Sequence, residues 1–136
     1  MITHLIDTTG LLAHYFGEPG AAEVDALWQD PKNSIGISVV SRVELWTHLV
    51  RSVSDRSEVE RVFTTYVGDL TSSYDIDTAV ADAALELRQA SPSRLPIVDS
   101  LIAGCARRHS AILVHRDPHM DPIPDHLLRK QRLPDR

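Results

Sequence analysis

Residues His115–Asp121 read HRDPHMD and follow directly on the apolar run AILV. Two acids, two histidines and a proline at the end of a strand-like segment suit three things: a histidine metal site, a carboxylate metal site, or a polar turn. His115 and His119 have the spacing of a zinc-binding helix pair, but the glutamate of an HExxH pattern is missing. Pro118 also interrupts any regular helix that would carry both rings. Carboxylates are the better candidates. Asp7 follows the first apolar run, Glu44 lies in a helix after the second, Asp99 opens a late helix, and Asp117 follows AILVH. If all four meet, their repulsion raises their pKa values, and a divalent cation relieves it. Hard oxygen donors suit Mg²⁺ or Mn²⁺. Such a site activates water and neutralises charge developing on a phosphodiester. The chemistry implied is metal-assisted hydrolysis of a nucleic-acid backbone.

Each acid also has a plainer account. Asp7 can accept backbone hydrogen bonds where a strand turns into a helix. Glu44 completes SRVE, a capping box with Ser41. Asp99 suits the positive end of a helix dipole, and Asp117 before Pro118 is a natural N-cap. Nearby, His119 can steer a phosphate or cap a turn, Asp121 is a further ligand or a turn residue before Pro122, and Arg116 is placed to touch a phosphate or face solvent.

The elements needed to bring these acids together alternate along the chain. ITHLI (2–6) reads as a first strand, with helical spacing at Leu11, Leu12, Tyr15 and Phe16 before the break GEPG. Val24, Leu27 and Trp28 mark a second helix, and SIGISVV a second strand. Val43, Trp46, Leu49 and Val50 mark a third helix. Val59 to Leu70 repeat at i, i+3, i+4, i+7 in a long amphipathic helix, with Asp55 and Glu58 as its capping box. YDI is a short strand and TAVADAALELRQA an Ala-rich helix. Pro96 starts a helix to Arg108, and AILVH is the last strand. Strands separated by helices imply a parallel β-sheet sandwiched between α-helices. In such α/β sheets the site lies beyond the carboxyl ends of the strands.

At 136 residues, 43% hydrophobic and 24% charged, the chain is expected to form one globular domain over 1–136. No run is long enough to cross a membrane as a helix, and the N-terminus lacks the pattern of a signal peptide. The single cysteine, Cys105, fits a reducing, cytoplasmic compartment. The net charge of −5 is uneven: residues 1–100 carry 7 basic against 15 acidic side chains, residues 101–136 carry 7 against 4. Residues 125–136 read as a basic C-terminal tail.

LIDTTGLLAHY, SVVSRVEL at 38–45 and LPIVDSLIAGCARRHSAILVHRDPHMDPIP at 95–124 together resemble the PIN-domain ribonucleases, in particular the VapC-type toxins of VapBC toxin–antitoxin pairs. The resemblance spans Ile2 to about Pro124 and is most specific in its C-terminal block. It implies a Mg²⁺- or Mn²⁺-dependent endoribonuclease with Asp7, Glu44, Asp99 and Asp117 as metal-binding acids. Thr9 then steadies a carboxylate or water, and Asp121 is an outer acid. It also implies an RNA substrate, a cognate antitoxin crossing the groove, and a homodimer. Leu12, Tyr15, Trp28 and Trp46 are candidate docking residues, with the core as the stronger assignment. Met120 stands where the family usually has Phe, and Gly10 where it usually has Ala, a change expected to loosen the first turn of that helix.

Other readings compete. A haloacid-dehalogenase-type phosphatase needs an aspartate at position 9, where this chain has Thr9. A catalytically silent PIN-like module that binds RNA or protein would lack one or more of the acids. A protein-binding partner would use them only as helix caps.

Overall fold

The computed structural model describes residues 1–136. Five strands form one all-parallel sheet: β1 (His4–Ile6), β2 (Ile35–Ser38), β3 (Ser72–Tyr74), β4 (Ile112–His115) and β5 (Lys130–Arg132), in the spatial order β3-β2-β1-β4-β5. The helices are α1 (Thr8–Phe16), α2 (Ala21–Gln29), α3 (Val39–Ser52), α4 (Arg56–Thr64), α5 (Thr78–Ala90) and α6 (Ile97–Arg108). A π-helical turn (Thr65–Asp69) extends α4, and a 3₁₀ turn (Pro118–Met120) follows β4.

The period of two along each strand divides the core. On β1, Leu5 packs with α5 and α6 residues such as Val80, Leu87 and Ile102, whereas Ile6 faces Leu11, Leu45, Leu49 and Val62. Leu113 and Val114 on β4 divide in the same way. Burial on both faces is what a parallel sheet under helices requires. α5 and α6 pack closely at Gly104, where an added Cβ would lie 2.8 Å from the backbone N of Ala84 and the backbone O of Val80. Gly10 gives α1 a similar close approach, since a Cβ there would stand 2.7 Å from Ile6 Cγ1. It therefore tightens this turn instead of loosening it.

Three expectations need correction. Val39 and Val40 belong to α3, not to the second strand, because Ser38 ends β2 and its Oγ accepts the Val40 N–H at 3.3 Å. Ser41 is therefore inside the helix and forms no capping box with Glu44. Asp55 caps α4 by accepting from Ser57 N, but Glu58 turns outward to Arg61 and Tyr15. Residues 125–136 are not a tail. Leu113, Val114 and His115 pair in register with Lys130, Gln131 and Arg132, and Leu128 and Leu133 are buried. The apolar residues spaced among the basic ones hold this segment in the fold.

Tyr15, Trp28 and Trp46 pack against the second core. The Trp28 indole N–H donates to Leu70 O at 2.8 Å, and Trp46 meets Phe63 edge-on. No helix is long and apolar enough to cross a membrane.

Candidate active site

A cleft of about 430 Å³ opens beyond the carboxyl ends of β1, β2 and β4, and Asp7, Glu44, Asp99 and Asp117 all line it. Each arrives from a different element. Asp7 is the residue between β1 and α1 and caps that helix, its Oδ1 accepting from Gly10 N at 3.0 Å. Glu44 lies one and a half turns into α3, so its carboxylate is not engaged at the helix start. Asp99 stands in the first turn of α6, behind Pro96 as N-cap. Asp117 caps the 3₁₀ turn, its Oδ1 accepting from His119 N at 2.9 Å.

Two adjacent hydroxyls at the start of α1 orient two of these acids. Thr9 Oγ1 accepts the Arg116 backbone N–H at 3.0 Å, so its one proton is directed to Asp7 Oδ1 at 2.6 Å. Thr8 Oγ1 donates to Glu44 Oε1 at 2.7 Å. Sequence reasoning singled out Thr9 but missed Thr8. The only signal was the Thr-Thr doublet itself, since a helix start turns consecutive side chains toward different neighbours.

The electrostatics are those of crowded, partly dehydrated acids. Burial pushes the Asp7 carboxyl up to about 7, against the bonds from Thr9 and Gly10, with Asp117 and Glu44 adding to the rise. Burial likewise raises Asp99 to about 6, reinforced by the Asp117 carboxyl and opposed by His119. This is the signature of a site that lacks positive charge.

His119 supplies part of that charge. Its Nδ1 lies 3.0 Å from Asp117 Oδ1 and 3.7 Å from Asp99 Oδ2. Asp99, Asp117 and His119 each offer a ligand atom within 4.8 Å of the others. With Asp7 and Glu44 on the same cleft, the donor set is predominantly hard oxygen and fits a divalent cation of the Mg²⁺ or Mn²⁺ type. His115 stands apart. It is fully buried, burial holds its pKa low, and its Nδ1 accepts the Asp117 backbone N–H at 3.2 Å. It braces the turn from behind.

Two of the expected outer residues are placed differently. Asp121 does not line the cleft and binds Arg132 Nε at 3.1 Å on β5. Arg116 lines the cleft, but its guanidinium is spoken for by Glu18 at 2.8 Å and by the Pro19 carbonyl. Glu18 also holds Arg136 at 3.2 Å. Sequence reasoning did not select Thr47, His48, Arg51 or Arg136 as cleft residues.

The PIN domain family model matches residues 4–125. Among solved structures, a chain of the VapBC2 complex of Rickettsia felis, bound to a DNA fragment from its promoter, aligns with a TM-score of 0.77 at 18% identity, covering 98% of this chain and 100% of that one. VapBC-1 of nontypeable Haemophilus influenzae aligns at 0.74 and 17% identity, covering 97% and 98%. Mycobacterium tuberculosis VapC20, a sarcin-ricin loop cleaving toxin, aligns at 0.62 and 16% identity, covering 82% and 87%. No curated protein sequence matches significantly.

Proposed function

Because this chain belongs to the PIN domain family, we propose that it is a divalent-metal-dependent endoribonuclease and the toxin of a toxin–antitoxin pair. The observation that carries this reading is the convergence of Asp7, Glu44, Asp99 and Asp117 from four separate elements on one cleft. Helix capping accounts for Asp7 and Asp117 in part, but it accounts for neither Glu44 nor Asp99.

Asp7, Glu44, Asp99 and Asp117 would hold a Mg²⁺ or Mn²⁺ ion. When bound, the ion supplies Lewis-acid polarisation of the phosphodiester and makes water a better nucleophile. Thr9 fixes Asp7 in one rotamer. Thr8 occupies only Oε1 of Glu44, leaving Oε2 to accept a proton from an attacking water. That water adds to phosphorus as the bond to O3′ breaks. His119, paired with Asp117 and Asp99, either joins the ligand set or moves aside to the departing strand. Asp121 acts only through Arg132, and Arg116 through its backbone N–H on Thr9.

The likeness to chains of VapBC complexes supports an antitoxin partner for this chain and a homodimer of the toxin. A cytoplasmic location follows from an RNA substrate of that kind. Cleavage of total cellular RNA by the purified protein tests the function. Discrete products are expected with Mg²⁺ or Mn²⁺, none with EDTA, and none from folded Asp7→Asn or Asp99→Asn variants. Products that persist in EDTA or in both variants would refute the assignment. No cleavage by the wild type under any condition would favour a silent binding module.

A further inference from the structure

Along α3, Glu44, Thr47, His48 and Arg51 recur at i, i+3, i+4 and i+7, and all four line the cleft. The cleft is therefore bipolar, with carboxylates at one end and cations at the other. Two of those cations, Arg116 and Arg136, are both neutralised by Glu18. Arg51 is exposed and pairs with no carboxylate, despite the acidic body around it. A guanidinium held open beside a carboxylate cluster matches an anion that reaches from one pole to the other. The His48 ring lies beside Phe16, with centroids 6.4 Å apart. Phe16 ends α1 with 39% of its surface exposed, although the rest of that helix is largely buried. Its aromatic face is left at the rim of the cationic end.

Resting on the nuclease reading above, we propose that Arg51, His48 and Phe16 form the groove for an unpaired RNA strand leaving the carboxylates. Arg51 takes a phosphate next to the scissile one, and Phe16 offers a stacking face to a base. In a regular A-form duplex the bases are stacked on each other and unavailable to such a ring, whereas unpaired nucleotides can splay onto it. The substrate class is therefore single-stranded RNA or a loop, not a continuous duplex.

Fluorescence anisotropy in EDTA, which keeps metal and cleavage out of the readout, tests this with labelled random-sequence single-stranded RNA and a duplex of equal length. The single strand should bind more tightly. Arg51→Ala should weaken binding about tenfold and flatten the dependence of log Kd on log salt by ~0.7, the share of one phosphate contact. Arg51→Lys should restore the slope. Phe16→Ala should weaken binding by roughly tenfold with the slope unchanged. Arg108→Ala, the same charge change at the far end of α6, should leave both near wild type. Wild-type affinity and slope in folded Arg51→Ala, equal binding of duplex, or no binding of the single strand would overturn the proposal. Strand binding without cleavage would instead count against the nuclease and leave the groove standing.

Discussion

Asp7 concentrates the physics of the site in one side chain. Its folded pKa of about 7 stands above the ordinary 3.8, because burial penalises its charge. Below pH 3.8 it is neutral in both states and costs nothing. As pH rises to 7 the unfolded chain gains by ionising it while the folded one does not, so stability is lost across that window. Asp7→Asn keeps an acceptor for Thr9 and Gly10 but removes the charge. Without metal at pH 8 it should raise stability by on the order of 2 kcal/mol, seen as a higher thermal midpoint, with the gain shrinking as pH falls toward 4. An unchanged midpoint at pH 8 would mean that the carboxylate is already compensated. Thr9→Val should cost about 1–3 kcal/mol, since it strands the Arg116 N–H and one Asp7 oxygen, and Thr9→Ser should recover most of it by denaturant titration. The four acids were legible from their positions after strands and at helix starts. The outer residues were not, because the partners that engage Arg116 and Asp121, namely Glu18 and Arg132, lie far from them in sequence or across a strand pair.

The elements carry these residues by means only partly visible in the chain. Strand and helix order and the Ala-rich helix at Thr78–Ala90 follow from periodicity, and the structure agrees. The start of α3 did not, because Val39 and Val40 have strand propensity and only the Ser38 cap, set where β2 leaves the sheet, makes them helical. β5 was missed for a related reason. Basic residues dominate it, and its apolar anchors Leu128 and Leu133 lie outside the strand itself. Its Lys130 is nearly buried, and its ammonium donates to the carbonyls of Met120, Asp121 and Ile123 in the loop after Asp117. Lys130→Met should leave those carbonyls unpaired, lower stability by about 2 kcal/mol and weaken Mn²⁺ binding through the displaced turn; full Mn²⁺ affinity by calorimetry would separate the strand from the site. Gly104→Ala should cost ~1–3 kcal/mol in chemical denaturation, because backbone atoms of α5 occupy the space a methyl group needs.

At the scale of the whole molecule, a sheet with both faces buried leaves its carboxyl edge as the place where unsatisfied charge gathers. Binding of a divalent ion there must displace protons from Asp7 and Asp99, so Mn²⁺ affinity should rise as pH increases through about 6 to 7. Saturation should also stabilise the fold, by about 2.7 kcal/mol at a hundredfold excess over Kd. A pH-independent affinity in isothermal titration would show that the buried acids take no part. The nature of the cleaved RNA ends decides most directly between this carboxylate chemistry and cleavage by the histidines at the cleft. If water attacks as the account requires, the products carry 5′-phosphate and 3′-hydroxyl ends. Ends bearing a 2′,3′-cyclic phosphate and a 5′-hydroxyl would mean that the RNA's own 2′-hydroxyl is the nucleophile, and would contradict it.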